Sequence, residues 1–253
     1  MDAQVRIQRE NGVLAITLAR PERRNAITVA MYAALADAVE SAATDADVRL
    51  LTIRGEGQDF TAGNDLADFL AAMPRDEEIP VMRLLRALAR NPKPVVAAVQ
   101  GNAVGIGTTI LLHCDLVIAE ESARFLLPFV DLGLVPEAAS SLLLPRLAGR
   151  RRAAAWLLLG ESFGVAEARE ADIVSHIVPN GSASAALGEM AGRLLAKPAE
   201  ALQVTQDLLR HGSADEIVER IDLESVYFSE RLKSAEVKTA IQAFFQRKPG
   251  GGA

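Results

Sequence analysis

Apolar positions change their period several times along this chain, and the changes mark its elements. Residues 4–9 and 13–18 alternate or run apolar around Asn11-Gly12, a two-residue turn signal that predicts an opening hairpin of two strands. Thr28 is placed to cap a helix in which Met31, Leu35, Ala38, Val39 and Ala42 recur at helical spacing. The apolar run at 50–55 then reads as a buried strand, 81–90 as a helix, and 94–101 as a strand ended by glycine. Further strands are expected at 115–120, 123–128 and 172–178, with a helix from Ile106 to His113 and two more between Pro136 and Leu159, parted near Gly149. Strands and helices in alternation predict an α/β fold, with parallel strands covered by helices.

From Ser182 onward every periodic segment is helical. Ser213-Ala-Asp-Glu216 has the pattern of a capping box, and Val218, Ile221, Ser225, Phe228 and Leu232 follow it on one face. Val237, Ala240, Ile241 and Phe244 repeat the theme, before a closing Lys-Pro-Gly-Gly-Gly-Ala expected to fray. The chain therefore divides into a core domain, residues 1–195, and a C-terminal helical region, residues 196–253. So much apolar surface must pack on the core or on another subunit, and homo-oligomerisation is expected.

Composition narrows the picture. Half of the 253 residues are apolar, enough for a sizeable core. A net charge of -6 argues against a broad nucleic-acid surface, while leaving room for a local basic patch facing a phosphorylated ligand. The single cysteine, Cys114, cannot close an intramolecular disulfide, and its apolar neighbours suit a buried, reduced thiol. Residues 1–10 lack the features of a secretory leader, and no apolar run approaches membrane-spanning length. A cytoplasmic protein with neither membrane nor nucleic-acid partner is expected.

Three segments compete for the chemistry. In Gly101-Asn-Ala-Val-Gly105-Ile106-Gly107, glycines precede a helix; the turn either lets a strand meet a helix closely or points free amides at an anion. Its spacing matches neither a dinucleotide fingerprint nor a phosphate-cradling loop. In Phe60-Thr-Ala-Gly63-Asn-Asp-Leu66, Gly63 permits a turn that aims the Asn64 amide into a cavity, although a plain loop has the same composition. An oxyanion hole needs two donors, and Asn64 and Ile106 are the candidates. The third segment holds Glu137, one of two ionisable residues in a long apolar run, the other being Asp131. A carboxyl in that company holds its proton tightly, as a general base for neutral pH should, yet Pro136-Glu137 also has the form of an ordinary helix start. The three histidines show no partner pattern and no metal-ligand spacing, so no metal is expected.

Arg24-Asn-Ala-Ile27, Phe60-Thr-Ala-Gly-Asn-Asp-Leu66, Lys93 to Gly101, Cys114-Asp115 and Asp131-Leu-Gly133 resemble, in order and spacing, the crotonase superfamily of enoyl-CoA hydratases and isomerases. The resemblance spans roughly residues 5 to 180. It implies a spiral of strand-strand-helix turns with C-terminal helices that assemble homotrimers or dimers of trimers. It also implies an acyl-CoA thioester substrate whose carbonyl oxygen sits between the amides of Asn64 and Ile106. Arg24, Ala26, Ala62, Gly63, Asp65, Leu66, Gly105 and Phe129 would line the CoA and substrate site, and no cofactor beyond the substrate's own coenzyme A is implied.

Hydratases of that family carry two glutamates that activate water, and the matching positions here are Thr109 and Phe129. Glu137 instead matches the single glutamate of the Δ3,Δ2-enoyl-CoA isomerases, of the peroxisomal type in particular, within a similar Pro-Phe…Leu-Gly…Pro-Glu segment followed by paired serines. The resemblance thus implies isomerisation with Glu137 as sole base. Hydration, or a non-catalytic CoA-binding scaffold, are the alternatives. The acyl chain length is left to loops such as 67–79.

Overall fold

A computed structural model describes residues 4–71 and 80–246 of the chain. Asn11 and Gly12 both take positive φ, 50° and 82°, which folds β1 (Val5–Glu10) back on β2 (Val13–Leu18) in antiparallel register, Glu10 opposite Val13. The outer strand is charged and exposed beyond Val5, which suits an edge. Thr28 accepts a hydrogen bond from the Met31 amide at 3.2 Å and so caps α1 (Val29–Thr44), whose Met31, Tyr32, Leu35 and Val39 are buried.

After β3 (Leu50–Gly55) come α2 (Leu66–Ala71), α3 (Pro80–Arg90), β4 (Val95–Val99), β5 (Asn102–Val104) and α4 (Ile106–Thr109), which runs on as a 3-10 turn to His113. Then follow β6 (Leu116–Glu120), β7 (Arg124–Leu126), α5 (Ser140–Ala148), α6 (Arg150–Leu159), β8 (Phe163–Gly164), α7 (Val165–Glu170) and β9 (His176–Val178). The tail is α8 (Ala183–Leu195), α9 (Ala199–Arg210), α10 (Ala214–Leu232) and α11 (Ala235–Gln246).

The main sheet has the order β1-β2-β3-β4-β6-β9, and every pairing from β2 onward is parallel. A second sheet, β5-β7-β8, lies beside it, and single parallel bridges join Thr61 to Ala103 and Ile27 to Asn64. Each turn of chain therefore gives one stretch to each sheet before entering a helix, as β4-β5-α4 and β6-β7-α5 show. That is the spiral of strand-strand-helix units implied by the resemblance. β4 is buried throughout and β3 nearly so, because helices cover both faces of the parallel sheet.

Local pattern misleads at several points. Pro136 opens no helix: α5 starts at Ser140, after Ala138 and Ala139 take left-handed φ of 59° and 56°. Ser213 forms no capping box, because its hydroxyl donates to the Arg210 carbonyl at 2.9 Å and its own backbone is already helical. The strand expected at 172–178 is paired only from His176, and β5, β8 and α7 were too short to carry a period.

The tail packs on the core. Val218, Ile221, Phe228, Leu232, Val237 and Ile241 join the main hydrophobic cluster. Arg210 donates to the carbonyls of Leu88, Asn91 and His113 and pairs with Asp115 at 3.1 Å. On the outer side Val204, Leu208, Leu209, Leu223, Val226 and Tyr227 remain exposed. The Phe244 side chain, the closing glycine-rich segment and most of the 67–79 loop lie outside the described residues. Among the described helices none is long and apolar enough to cross a membrane.

Candidate active site

Asn25 organises the first wall of the site. It is fully buried with φ 55°, its side-chain oxygen accepts from the Arg20 amide at 2.9 Å, and its side-chain nitrogen donates to the carbonyls of Glu56 and Asp59, both at 2.8 Å. The Thr61 hydroxyl donates to the Asn25 carbonyl, the Ala62 amide to that of Arg24, and the Ile27 amide to that of Gly63. These bonds lay residues 24–27 alongside 61–65. Asp65 pins the same loops from its side chain, accepting from Arg20 Nη1 at 2.7 Å. Burial raises the Asp65 pKa, but the contacts with Arg20 and the Asp68 amide outweigh it and hold the carboxyl below its ordinary range.

A cavity of about 570 Å³ opens here. Ala26, Ala62, Gly63, Asn64, Asp65, Leu66, Gly105, Ile106 and Phe129 are all in its wall. Arg24 is not. It closes the turn after Pro21 with φ 50°, and its side chain is 73% exposed, 3.9 Å from Asp59, while Arg23 lines the cavity instead.

Two glycines set the geometry of the wall. At Gly63, φ 87°, an added Cβ would stand 2.7 Å from the Val104 carbonyl oxygen, so only glycine brings these two turns together. Gly105 has φ 55° and ψ -116°, a conformation closed to residues with a β-carbon, although a Cβ there would meet nothing within 4 Å. Its backbone shape is what turns the chain sharply into α4. As a result the amides of Asn64 and Ile106 have no hydrogen-bond partner among the described residues, and both residues face the cavity. Paired free amides on a concave apolar wall are an oxyanion-stabilising arrangement.

Glu137 is 4% exposed and does not line the cavity; the hydroxyl of Thr109, itself buried behind the wall, donates to its Oε1 at 2.5 Å. Thr109 ends the short helix that Ile106 begins. Burial pushes the Glu137 carboxyl up to about 8; the Thr109 hydrogen bond opposes this and the negative charge of Glu224 adds to it. A carboxyl so placed can exchange a proton near neutral pH. Tyr32, buried on α1, donates to the side-chain oxygen of Asn64, and burial followed by the charge of Glu137 holds its pKa well above the ordinary value.

Thr109 as a donor, Tyr32, Asn25 and Arg23 were not read from the sequence as site residues. Thr109 lies three residues after Ile106, one helical turn, which was the available signal. Glu224, three residues after Ile221 on the buried stripe of α10, was likewise an acid where the period called for an apolar residue.

Fold and site together define a crotonase-type acyl-CoA enzyme. The comparisons agree: the family model for enoyl-CoA hydratase/isomerase matches residues 8–250, and the chain belongs to that family. It is 34% identical over 247 residues to the 1,2-epoxyphenylacetyl-CoA isomerase of Escherichia coli strain K12, covering 94% of each chain. It is 32% identical to the enoyl-CoA delta isomerase 2 of Rattus norvegicus, over 95% of this chain and 63% of that protein. The crystal structure of an enoyl-CoA hydratase/isomerase from Pseudoalteromonas atlantica T6c superposes with a TM-score of 0.92 at 37% identity, over 99% of this chain and 100% of that one.

Proposed function

We propose that this chain moves a double bond, converting a 3-enoyl-CoA to the 2-enoyl-CoA with Glu137 as the only base. The observation that supports it most is the pairing of Glu137 with Thr109: at the two positions where a hydratase would carry its glutamates, this chain has a hydroxyl donor and Phe129, and Glu137 is the carboxyl that this donor holds. Ionised Glu137 takes a proton from C2, and the electron pair delocalises through the double bond and the thioester carbonyl. The dienolate oxygen is held by the amides of Asn64 and Ile106. Glu137 then returns the proton at C4, leaving the double bond between C2 and C3. One residue serves both ends because the same proton is removed and replaced. The reading requires the acyl carbons to reach Glu137, which is buried and does not itself line the cavity.

Leu126, Phe129, Leu132, Leu134, Phe228 and Ala240 give the cavity an apolar region suited to an uncharged acyl chain. Arg23 is the one cation among the described lining residues, which favours the phosphorylated end of coenzyme A lying there. The exposed leucines and Tyr227 of α9 and α10 favour self-association, and the resemblance makes a homotrimer or a dimer of trimers the assembly proposed.

The deciding assay compares purified protein on 3-enoyl-CoA and 2-enoyl-CoA over several chain lengths. Double-bond migration faster than water addition is the expected result. Faster hydration of the 2-enoyl substrate would overturn the reading, and binding of acyl-CoA without either reaction would make the chain a scaffold.

A further inference from the structure

We propose that Glu224, in the helical tail, is a positioning residue for Glu137, because its carboxylate fixes the left-handed turn that carries the base. The kinetic part of this inference rests on the isomerase reading above. Ala138 and Ala139, directly after Glu137, have φ of 59° and 56°, a conformation disfavoured for any residue with a β-carbon. Two such residues in succession persist only when their surroundings impose the shape.

The surroundings do so from three sides. The Ser140 amide and hydroxyl both donate to the Glu137 carbonyl, at 3.0 Å and 2.6 Å. His113 Nε2 lies 2.9 Å from the Ala138 carbonyl oxygen, and since a carbonyl only accepts, the ring nitrogen is the donor. Burial lowers the His113 pKa to about 4, which keeps the ring neutral and able to hold that tautomer. Glu224 supplies the third side: Oε2 accepts from the Ala139 amide at 2.7 Å and Oε1 from the Ser141 amide at 3.0 Å. It is 6% exposed and reaches this turn from α10, 85 residues further along the chain than Ala139.

A bidentate acceptor on the first amides of α5 does two things. It satisfies donors that the start of any helix leaves free, and it spends the carboxylate's charge where the helix dipole favours it. It also fixes where the chain leaves the turn, and therefore where the Glu137 side chain begins. Arg220 stands next to this contact and donates to the Ser141 hydroxyl at 3.0 Å. Thr109 and Tyr32 face the base from α4 and α1, so Glu224 is the acidic group that approaches from the tail. The tail thereby sets the geometry of the reaction as well as offering surface to other subunits.

Glu224→Gln tests this, since one of its side-chain atoms would present N–H groups to a backbone N–H. The expected result is a kcat on 3-enoyl-CoA at least about tenfold lower, affinity for a saturated acyl-CoA within about threefold of wild type by calorimetry, and a bend in the pH profile at lower pH. Carbon-13 titration of the Glu137 carboxyl, identified by its loss in Glu137→Gln, should show the same downward shift without any turnover. An unchanged kcat with an unchanged titration overturns the proposal, as does a parallel loss of ligand affinity and kcat, which would make Glu224 a general structural residue. A wild type that fails to isomerise would count against the proposed reaction alone, and the titration would then decide for or against Glu224. Should Glu224→Gln not fold, Glu224→Asp, which keeps the charge but shortens the reach, carries the comparison of kcat against affinity: kcat should fall while acyl-CoA affinity holds, and an unchanged kcat overturns the proposal.

Discussion

The Thr109 hydroxyl donates to Oε1 of Glu137 at 2.5 Å, and this single contact ties the carboxyl to the helix whose first residue faces the cavity. In the proposed reaction, stabilising the dienolate oxygen and moving the proton would thus be coupled through four residues of α4. The same contact opposes the effect of burial on Glu137, so this carboxyl is both held and tuned by one donor.

With Glu137 pushed up to about 8, kcat/KM should rise about tenfold per pH unit below that value and level off above it, since only the ionised carboxyl removes a proton. Initial rates on a 3-enoyl-CoA between pH 6 and 9 measure this. A profile flat across that range would show that another group is the base.

Stability carries the opposite sign. Between its ordinary value of 4.5 and about 8, the folded protein retains a proton that the unfolded chain has released. The contribution of Glu137 to stability therefore falls as pH rises through this window, and the deficit is complete above about 8. Glu137→Gln removes the titration. Its melting temperature should exceed that of wild type at pH 9, by an amount corresponding to a few kcal/mol at most, with a clearly smaller gain at pH 5. An equal gain at both pH values would contradict a buried, proton-retaining carboxyl.

Thr109→Val keeps the shape of the side chain and deletes the donor. Glu137 should then become harder to ionise, moving the bend in the pH profile upward and lowering kcat/KM at pH 7 by roughly tenfold, the worth of one hydrogen bond to a charged group. Parallel profiles of the two proteins decide the matter. A downward move of the bend would mean that Thr109 does not stabilise the ionised form.

Gly105→Ala separates conformation from space. Nothing stands within 4 Å of the added Cβ, so any effect comes from the φ of 55° and ψ of -116° that alanine resists. A stability loss of about 1–3 kcal/mol is expected, or else a shifted turn that redirects the Ile106 amide and lowers kcat with little change in acyl-CoA affinity. Denaturant unfolding and ligand calorimetry distinguish the two, and a variant unchanged in both stability and kcat would remove Gly105 from the argument.

Features that depend on neighbours in sequence were readable without a structure. The Asn11-Gly12 turn, the Thr28 cap and the helical face of α1 each rest on contacts a few residues apart, and each formed as its pattern indicates. The two glycine turns were equally legible as turns. Pro136-Glu137 was legible only as an ambiguity, since a helix start and a buried base look alike in one dimension, and neither alternative included the left-handed pair that follows.

What the sequence by itself determined is the α/β order of elements, the helical tail and the residue types from which the site is drawn. Tertiary structure decided which amides lack partners, which arginine enters the wall, and how strongly Glu137 keeps its proton. The reason is that hydrogen bonding and desolvation act through space: Thr109 lies 28 residues from Glu137 along the chain and Glu224 lies 85 from Ala139, and no local pattern reports distances that only folding closes.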